Sequence, residues 1–397
     1  MKNILHIDVN SAFLSWTALE LLRNGYPKDV REIPSAIAGD PKNRHGIILA
    51  KSTPAKKYGI QTAMPLSEAM KRCPFLEIFP PSHDLYSRCS NAMFNLLSEY
   101  SSNIERFSID ECWMDYTGSE KLFGKPMEAA IAINSRVKSE LGFTVNIGIS
   151  TNKLLAKMAS EFEKPDKIHT LYPDEIETKM WPLPVSELFG VGRSSRKQLE
   201  KININTIGEL AKTEINILRT HFKPIFAQML YERANGIDES PVVSRKKSET
   251  KSIGNSVTTP KDIETEEEAF NTLLALSTKT GERIRAIGAM ASIVSVQLKN
   301  KDFYTYQHQK KLFKPTSSTD AIYEIAQTIF KEMWKGDALR LIGITLSGIS
   351  FEFTEQLSLF GEQEYEEASV IDEVTDKINE RFGDKSLIRG TLIQHEE

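Results

Sequence analysis

Two adjacent acids, Asp110 and Glu111, interrupt a pair of apolar strand pieces in FSIDECWMDY (107–116). Neighbours in a regular strand point to opposite faces, so the two carboxylates converge on one ligand only if the chain turns between or beside them. The stretch is therefore either a solvated hairpin tip, the usual fate of acids at a turn, or a place where carboxylates gather for a cation. A third acid, Asp8, ends the strand-like run ILHIDV (4–9). If that strand and the hairpin are neighbours in one sheet, three carboxylates meet at one edge. Oxygen ligands without histidine or thiolate suit Mg²⁺, and two such ions about 3.5–4 Å apart clamp the attacking and leaving oxygens of a phosphoryl transfer.

Composition narrows the alternatives. The chain has 397 residues, enough for two to four domains with their own cores. Cys73, Cys89 and Cys112 form no C-x-x-C pair and the seven histidines no H-E-x-x-H, which argues against zinc and against a disulfide scaffold. The apolar runs are far shorter than a membrane span, and MKNILHIDVN lacks the features of a signal peptide, so a cytoplasmic protein with no membrane partner is expected. The net charge of −4 is unevenly spread: Glu352 to Glu397 carry thirteen acids against four bases, which leaves +5 on residues 1–351. A basic body, with a dense cluster in SRKKSETKS (244–252), suits a phosphate backbone.

The expected elements alternate. After the first strand, Ser11 caps a helix that Gly25 stops; GIILA is a strand, and STPAKKYG starts a short helix with Lys56 and Lys57. LEIFPP is a strand, DLYSRCSNAMFNLLSEYS a helix, and IERFS with CWMDYT the hairpin around the two acids. A helix over 126–141, the strand FTVNIGIS and a helix over 151–164 ending at Lys164 complete an α/β unit. Residues 181–235 read as all helix, with two short amphipathic helices flanking Gly190-Val191-Gly192. Residues 252–351 give strand, helix, strand, strand, helix, strand; Ser295, Gln297 and Lys299 lie on a polar face that is free for an anionic ligand. Residues 365–393 predict a further helix and strand.

IDVNSAF (7–13), AKKYGI (55–60), SIDE (108–111), GISTNKLLAKMAS (148–160) with Lys164-Pro165, and FGVG (189–192) follow one another as in Y-family translesion DNA polymerases. The chain resembles that family over residues 3–351. The resemblance implies an α+β multidomain, right-hand polymerase: palm (1–10 and 74–172), fingers (11–73), helix-hairpin-helix thumb (173–240), linker (241–251), a βαββαβ little finger (252–351) and an acidic tail (352–397). It implies two Mg²⁺ ions on Asp8, Asp110, Glu111 and the Val9 carbonyl. Phe13 matches the steric gate against a 2′-hydroxyl, and Lys164 matches the lysine on the triphosphate. Where many members place Tyr and Arg on the triphosphate, this chain has Thr53 and Lys56, which lack the bidentate fork of Arg, and Ala12 replaces an aromatic beside the gate.

Gly190 and Gly192 would offer backbone N–H groups to a DNA phosphate, and a dinucleotide fingerprint fails because its third glycine falls at Ser195. Gln356, Leu357, Leu359 and Phe360, with Ser358 between them, resemble the pentapeptide by which bacterial polymerases dock on the sliding clamp. The expected activity is template-directed addition of deoxynucleotides to a primer 3′ end, at low fidelity and without proofreading, in DNA damage tolerance. Its partners are primer-template DNA, dNTP and the sliding clamp; the expected state is a monomer associated with the nucleoid. The rival readings are a non-catalytic DNA- and clamp-binding adaptor of the same fold, whose signature would be lost carboxylates, and a nucleotide cyclase on a related palm.

Overall fold

Branched apolar residues at 4, 5, 7 and 9 make ILHIDV a strand with both faces covered, and the rest of the first unit is built outward from it. A computed structural model describes residues 2–39, 46–244, 250–351, 364–383 and 386–392. The chain divides into two units, Met1–Arg245 and Lys246–Glu397.

The first unit begins β1 (Ile4–Val9), α1 (Ala12–Arg23), β2 (Ser35–Ala38), β3 (Ile48–Lys51), α2 (Thr53–Lys56), α3 (Leu66–Arg72) and β4 (Glu77–Phe79). It continues with α4 (His83–Ser98), β5 (Ile104–Arg106), β6 (Glu111–Asp115), α5 (Glu120–Phe123), α6 (Pro126–Arg136), β7 (Val145–Ser150), α7 (Lys153–Glu161) and β8 (Ile168–Thr170). Five strands form one sheet in the order β5-β6-β1-β7-β8, with β1 antiparallel to both neighbours. Leu5, Ile7 and Val9 point to a core shared with Trp16 of α1, Phe94 of α4 and Ile133 of α6. The alternate residues, Ile4, His6 and Asp8, face the other way, and α7 lies across β1 and β7.

A smaller sheet runs β3-β2-β4, with β4 parallel to β2. Residues 77–79, expected within the palm segment that begins at 74, therefore pair outside the five-stranded sheet. β2 itself was not anticipated: SAIA is four residues long and buried on both faces, so it shows no alternation. Ser11 does occupy the position before α1, but with φ 47° and no side-chain cap bond; its expected capping role is not seen. Gly25 stops the helix with φ 81°.

After β8 come α8 (Arg193–Glu200), α9 (Ile207–Lys212), α10 (Ile215–His221) and α11 (Pro224–Ala234). Only one of the two helices expected around Gly190–Gly192 is an α-helix; the upstream one is a single 3₁₀ turn, Val185–Glu187, confined by Pro184.

The second unit has β9 (Ser252–Ile263), α12 (Glu266–Ala286), β10 (Met290–Asn300), β11 (Thr305–Thr316), α13 (Thr319–Met333), β12 (Leu339–Ser350) and α14 (Glu364–Phe382). Its antiparallel sheet runs β11-β10-β12-β9. Val294, Val296 and Leu298 are buried against Ile322, Ile329 and Phe330 of α13, which leaves Gln297 and Lys299 on the opposite face. The strand expected after α14 is absent from the described residues, where a 3₁₀ turn, Gly390–Leu392, stands instead. Among the described residues no helix is long and apolar enough to cross a membrane.

Candidate active site

The turn question raised by the two acids has a geometric answer. Asp110 lies in the bend before β6 and Glu111 is the first residue of that strand. Val9 N–H donates to the Asp110 carbonyl at 3.0 Å, which fastens the turn to the end of β1. Glu111 then stands directly opposite Asp8 in the antiparallel register. Directly opposed residues have Cβ atoms about 4.5–5.5 Å apart, so the two carboxylates share one face at the sheet edge.

Each carboxylate has its own partner. Lys164 Nζ donates to Asp8 Oδ2 at 2.5 Å, and Lys157 Nζ to Glu111 Oε2 at 2.5 Å. Ser108 Oγ donates to Asp110 Oδ1 at 2.5 Å. Burial pushes Asp8 up to about 6 even with Lys164 beside it, and the Glu161 and Glu111 charges act in the same direction. Burial also opposes ionisation of Glu111, but the His6 and Lys157 contacts outweigh it and hold that carboxyl at about 2. Burial works against the Lys164 ammonium too, yet Asp8 and Glu161 raise its pKa.

Among the described residues no three His, Cys, Asp or Glu side chains are drawn together into a ligating cluster; each of the three acids is turned to a partner of its own. The donor set nevertheless fits a hard divalent cation in kind and placement. It offers carboxylate oxygens only, two of them from register partners, at a spot where Asp8 is costly to ionise without more positive charge.

Lys164 follows α7 rather than ending it, and its loop is pinned by buried amides. Asn146 Nδ2 donates to the carbonyls of Ser160 at 3.0 Å and Glu163 at 2.6 Å, while Asn10 Oδ1 accepts the Asp166 N–H at 2.9 Å. Asn146 is the register partner of Asp8 on β7, so one strand pair sets both the acid and the lysine loop.

Phe13, in the first turn of α1, is half-buried and stacks on Tyr86 of α4 with ring centroids 4.3 Å apart and planes 5° apart. Thr17 Oγ1 lies 3.1 Å from the Tyr86 hydroxyl and donates to the Phe13 carbonyl at 2.7 Å. Thr53 and Lys56 are exposed on α2, which Ser52 caps by accepting the Ala55 N–H. Among the described residues no hydrogen bond or ion pair ties either of them to the three acids. Lys51, beside them, has its pKa lowered by burial and then by the Lys56 charge, which marks two ammonium groups held close together.

Gly190 has φ 100°, and a Cβ there would lie 2.1 Å from Arg233 Nη1, which donates to the Phe189 carbonyl at 2.8 Å. Gly192 precedes α8 with open space around it and no side-chain cap, so the first N–H groups of α8 are accessible. Lys299 lies in the second unit on the polar face of β10. The pentapeptide with Gln356, Leu357, Leu359 and Phe360 lies outside the described residues, as does most of the basic cluster at 244–252.

Sequence reasoning missed His6, Lys51, Asn146 and Lys157. A signal existed for Asn146, a lone amide inside the apolar run VNIGIS, and for His6, the polar residue two before Asp8 on the same strand face.

Residues 7–161 match the model of the impB/mucB/samB family, and residues 250–359 match that family's C-terminal domain. Residues 186–238 match the thumb domain of DNA polymerase-iota. DNA polymerase IV of Clostridium acetobutylicum is 48% identical across 100% of this chain and 99% of its own. DNA polymerase IV 2 of Bacillus subtilis is 38% identical, covering 99% of this chain and 95% of its own. Among solved structures, a Y-family DNA polymerase chimera, Dbh-Dpo4(243-245)-Dbh, superposes with a TM-score of 0.76 at 23% identity over 88% of this chain and 100% of that one.

Proposed function

The chain belongs to the impB/mucB/samB family of Y-family translesion DNA polymerases, and we propose that it extends primers at the carboxylates where β1 meets β6. It is a template-directed DNA polymerase of the translesion type, acting on primer-template DNA and deoxynucleoside triphosphates. The observation that carries the site is the Asp8–Glu111 register pair, with Asp110 fastened beside it through the Val9 N–H.

The family uses divalent cations. In this reading two Mg²⁺ ions, held by Asp8, Asp110, Glu111 and the Val9 carbonyl, would supply positive charge to the attacking 3′-hydroxyl and to the leaving pyrophosphate. Asp8 and Glu111 present oxygens from adjacent strands, so their spacing is set by the ladder rather than by loops. Lys164, paired with Asp8, would exchange that carboxylate for a triphosphate oxygen. Thr53 and Lys56 would bind the same phosphates with a hydroxyl and a point charge. Phe13, stacked against Tyr86, would present its other face to the sugar and exclude a 2′-hydroxyl.

The domain roles follow the family's pattern: palm for the five-stranded sheet, fingers for the small sheet, thumb for the helices after β8, little finger for the second unit. Gly190 and Gly192 would meet a DNA phosphate through backbone N–H groups, and Lys299 would provide a sequence-independent contact from β10. Residues 356–360 would dock on the sliding clamp.

Primer extension with Mg²⁺ and four deoxynucleotides, comparing wild type with Asp110→Asn, tests this reading. Template-dependent extension by the wild type alone, with DNA binding equal in both, supports it. Extension by Asp110→Asn would remove the carboxylate assignment, and DNA binding without extension by either protein would favour the adaptor.

A further inference from the structure

We propose that His6 is the positioning residue for Glu111, fixing one carboxylate oxygen through a buried chain that starts at the Ser160 hydroxyl of α7. The inference rests on the reading of Glu111 as a cation-holding acid.

His6 is 0% exposed and lies on the same face of β1 as Asp8. Its register partner on β7 is Gly148, where a Cβ would come within 1.9 Å of the Ala156 carbonyl oxygen and 2.5 Å of the Ser160 nitrogen. No side chain fits there, so α7 lies flush on the strand. That close approach brings Ser160 Oγ to 2.8 Å from His6 Nδ1, with the same oxygen 2.8 Å from the Lys157 carbonyl. On the other side of the ring, Nε2 lies 3.2 Å from Glu111 Oε2. Trp113 flanks the imidazole at 5.2 Å between ring centroids, and its indole N–H is fixed on the Lys153 carbonyl at 2.9 Å.

A packing histidine needs none of this. Its two nitrogens would be satisfied anywhere, whereas here one is held by α7 and the other is aimed at Glu111. Among the described residues Nε2 makes no hydrogen bond elsewhere, and Glu111 Oε2 at 3.2 Å is the polar group it faces. An Nε2–H gives a hydrogen to the carboxylate when the single Ser160 proton turns from the Lys157 carbonyl to Nδ1, so the hydroxyl and the ring are set together. His6 and Lys157 both act on Oε2, which leaves Oε1 as the oxygen available to a cation.

The test uses the full chain as wild type, His6→Leu, His6→Gln, Ser160→Ala and Asp110→Asn. Mn²⁺ binding is read from the electron paramagnetic resonance of the free ion, with primer-template and a non-hydrolysable deoxynucleotide present. DNA affinity, thermal unfolding and extension kinetics are read in parallel. Loss of an outer-shell partner of a metal ligand typically costs about 10–100-fold, so His6→Leu should weaken Mn²⁺ binding by about 10-fold and lower kcat without changing DNA affinity. His6→Gln, whose amide N–H reaches the same region, should recover most of the loss. Ser160→Ala, the milder change should His6→Leu unfold, should weaken Mn²⁺ binding by a smaller factor.

Wild-type Mn²⁺ affinity in His6→Leu and Ser160→Ala, or equal loss in Leu and Gln, would overturn the inference. If Asp110→Asn loses synthesis in that case, the carboxylate site stands and only the role of His6 falls. Synthesis retained by Asp110→Asn removes the site itself.

Discussion

At the scale of single residues, the adjacent acids solve a parity problem. Asp110 and Glu111 cannot share a strand face, and the bend at Asp110 removes the need. The backbone of one acid fastens the turn while the side chain of the other extends into the ladder opposite Asp8. Phe13 shows the same economy, because its ring is set by stacking on Tyr86 and its carbonyl by Thr17. Phe13→Ala would leave a space where the ring now stands while α1 keeps its other buried contacts. Discrimination between substrates that differ by one hydroxyl reaches about 10²-fold when steric fit alone supplies it. The expected outcome is that the deoxy-to-ribonucleotide ratio in kcat/KM falls by roughly that factor, read from single-nucleotide insertion. An unchanged ratio would show that sugar selection lies elsewhere.

At the scale of elements, periodicity was a good guide where strands are long and one-sided. The order strand, helix, strand, strand, helix, strand over 252–351 is the order of β9 to β12 with α12 and α13, because Val294, Val296 and Leu298 alternate cleanly with polar neighbours. The hairpin of β5 and β6 was legible from the two acids that interrupt its apolar pieces, and so was the approach of those acids to Asp8 if β1 lay next to it. Two short elements were not legible. β2 and β8 have four and three residues, too few to show a period. The partners of the acids were hidden for another reason: Lys157 and Ser160 reach Glu111 and His6 only through the close approach at Gly148, a contact between elements far apart in sequence.

α14 was anticipated as a helix, but not the face it presents. Asp372 is buried on the domain while Val370, Ile371, Val374 and Phe382 are exposed, the reverse of an ordinary amphipathic helix. What holds it is polar: Arg285 pairs with Asp376 at 2.6 Å and with Asp372 at 3.3 Å, and Asp372 accepts the Thr319 N–H at 2.7 Å at the start of α13. Asp372→Ala leaves Arg285 partly unpaired and that N–H without its acceptor, a loss of about 1–3 kcal/mol. Faster hydrogen exchange along 370–382, with the exchange of β10 and β12 unchanged, is the expected result. Unchanged exchange in the helix would mean that apolar contacts hold it.

For the whole molecule, charge and the tail bear on how the polymerase stays on its template. Residues 1–351 carry +5 and Glu352 to Glu397 carry −9, so the tail adds nothing to phosphate attraction. A non-specific grip through backbone N–H groups and scattered lysines weakens as salt rises, and repeated synthesis then requires a second tether. In the proposed reading Leu357, Leu359 and Phe360 provide it, as apolar residues set among acids that favour water. A tether raises the local concentration of the enzyme at the primer end without changing its chemistry, and such linkage can add about 10²–10⁴-fold in avidity. Replacing Leu359 and Phe360 together by Ala should therefore leave single-nucleotide insertion on naked primer-template as it is. The same variant should lose the stimulation that a loaded clamp gives to long extension products, most clearly at physiological salt. Stimulation that survives the double substitution would place the tether outside residues 356–360, and insertion that falls without the clamp would show that the peptide serves the fold.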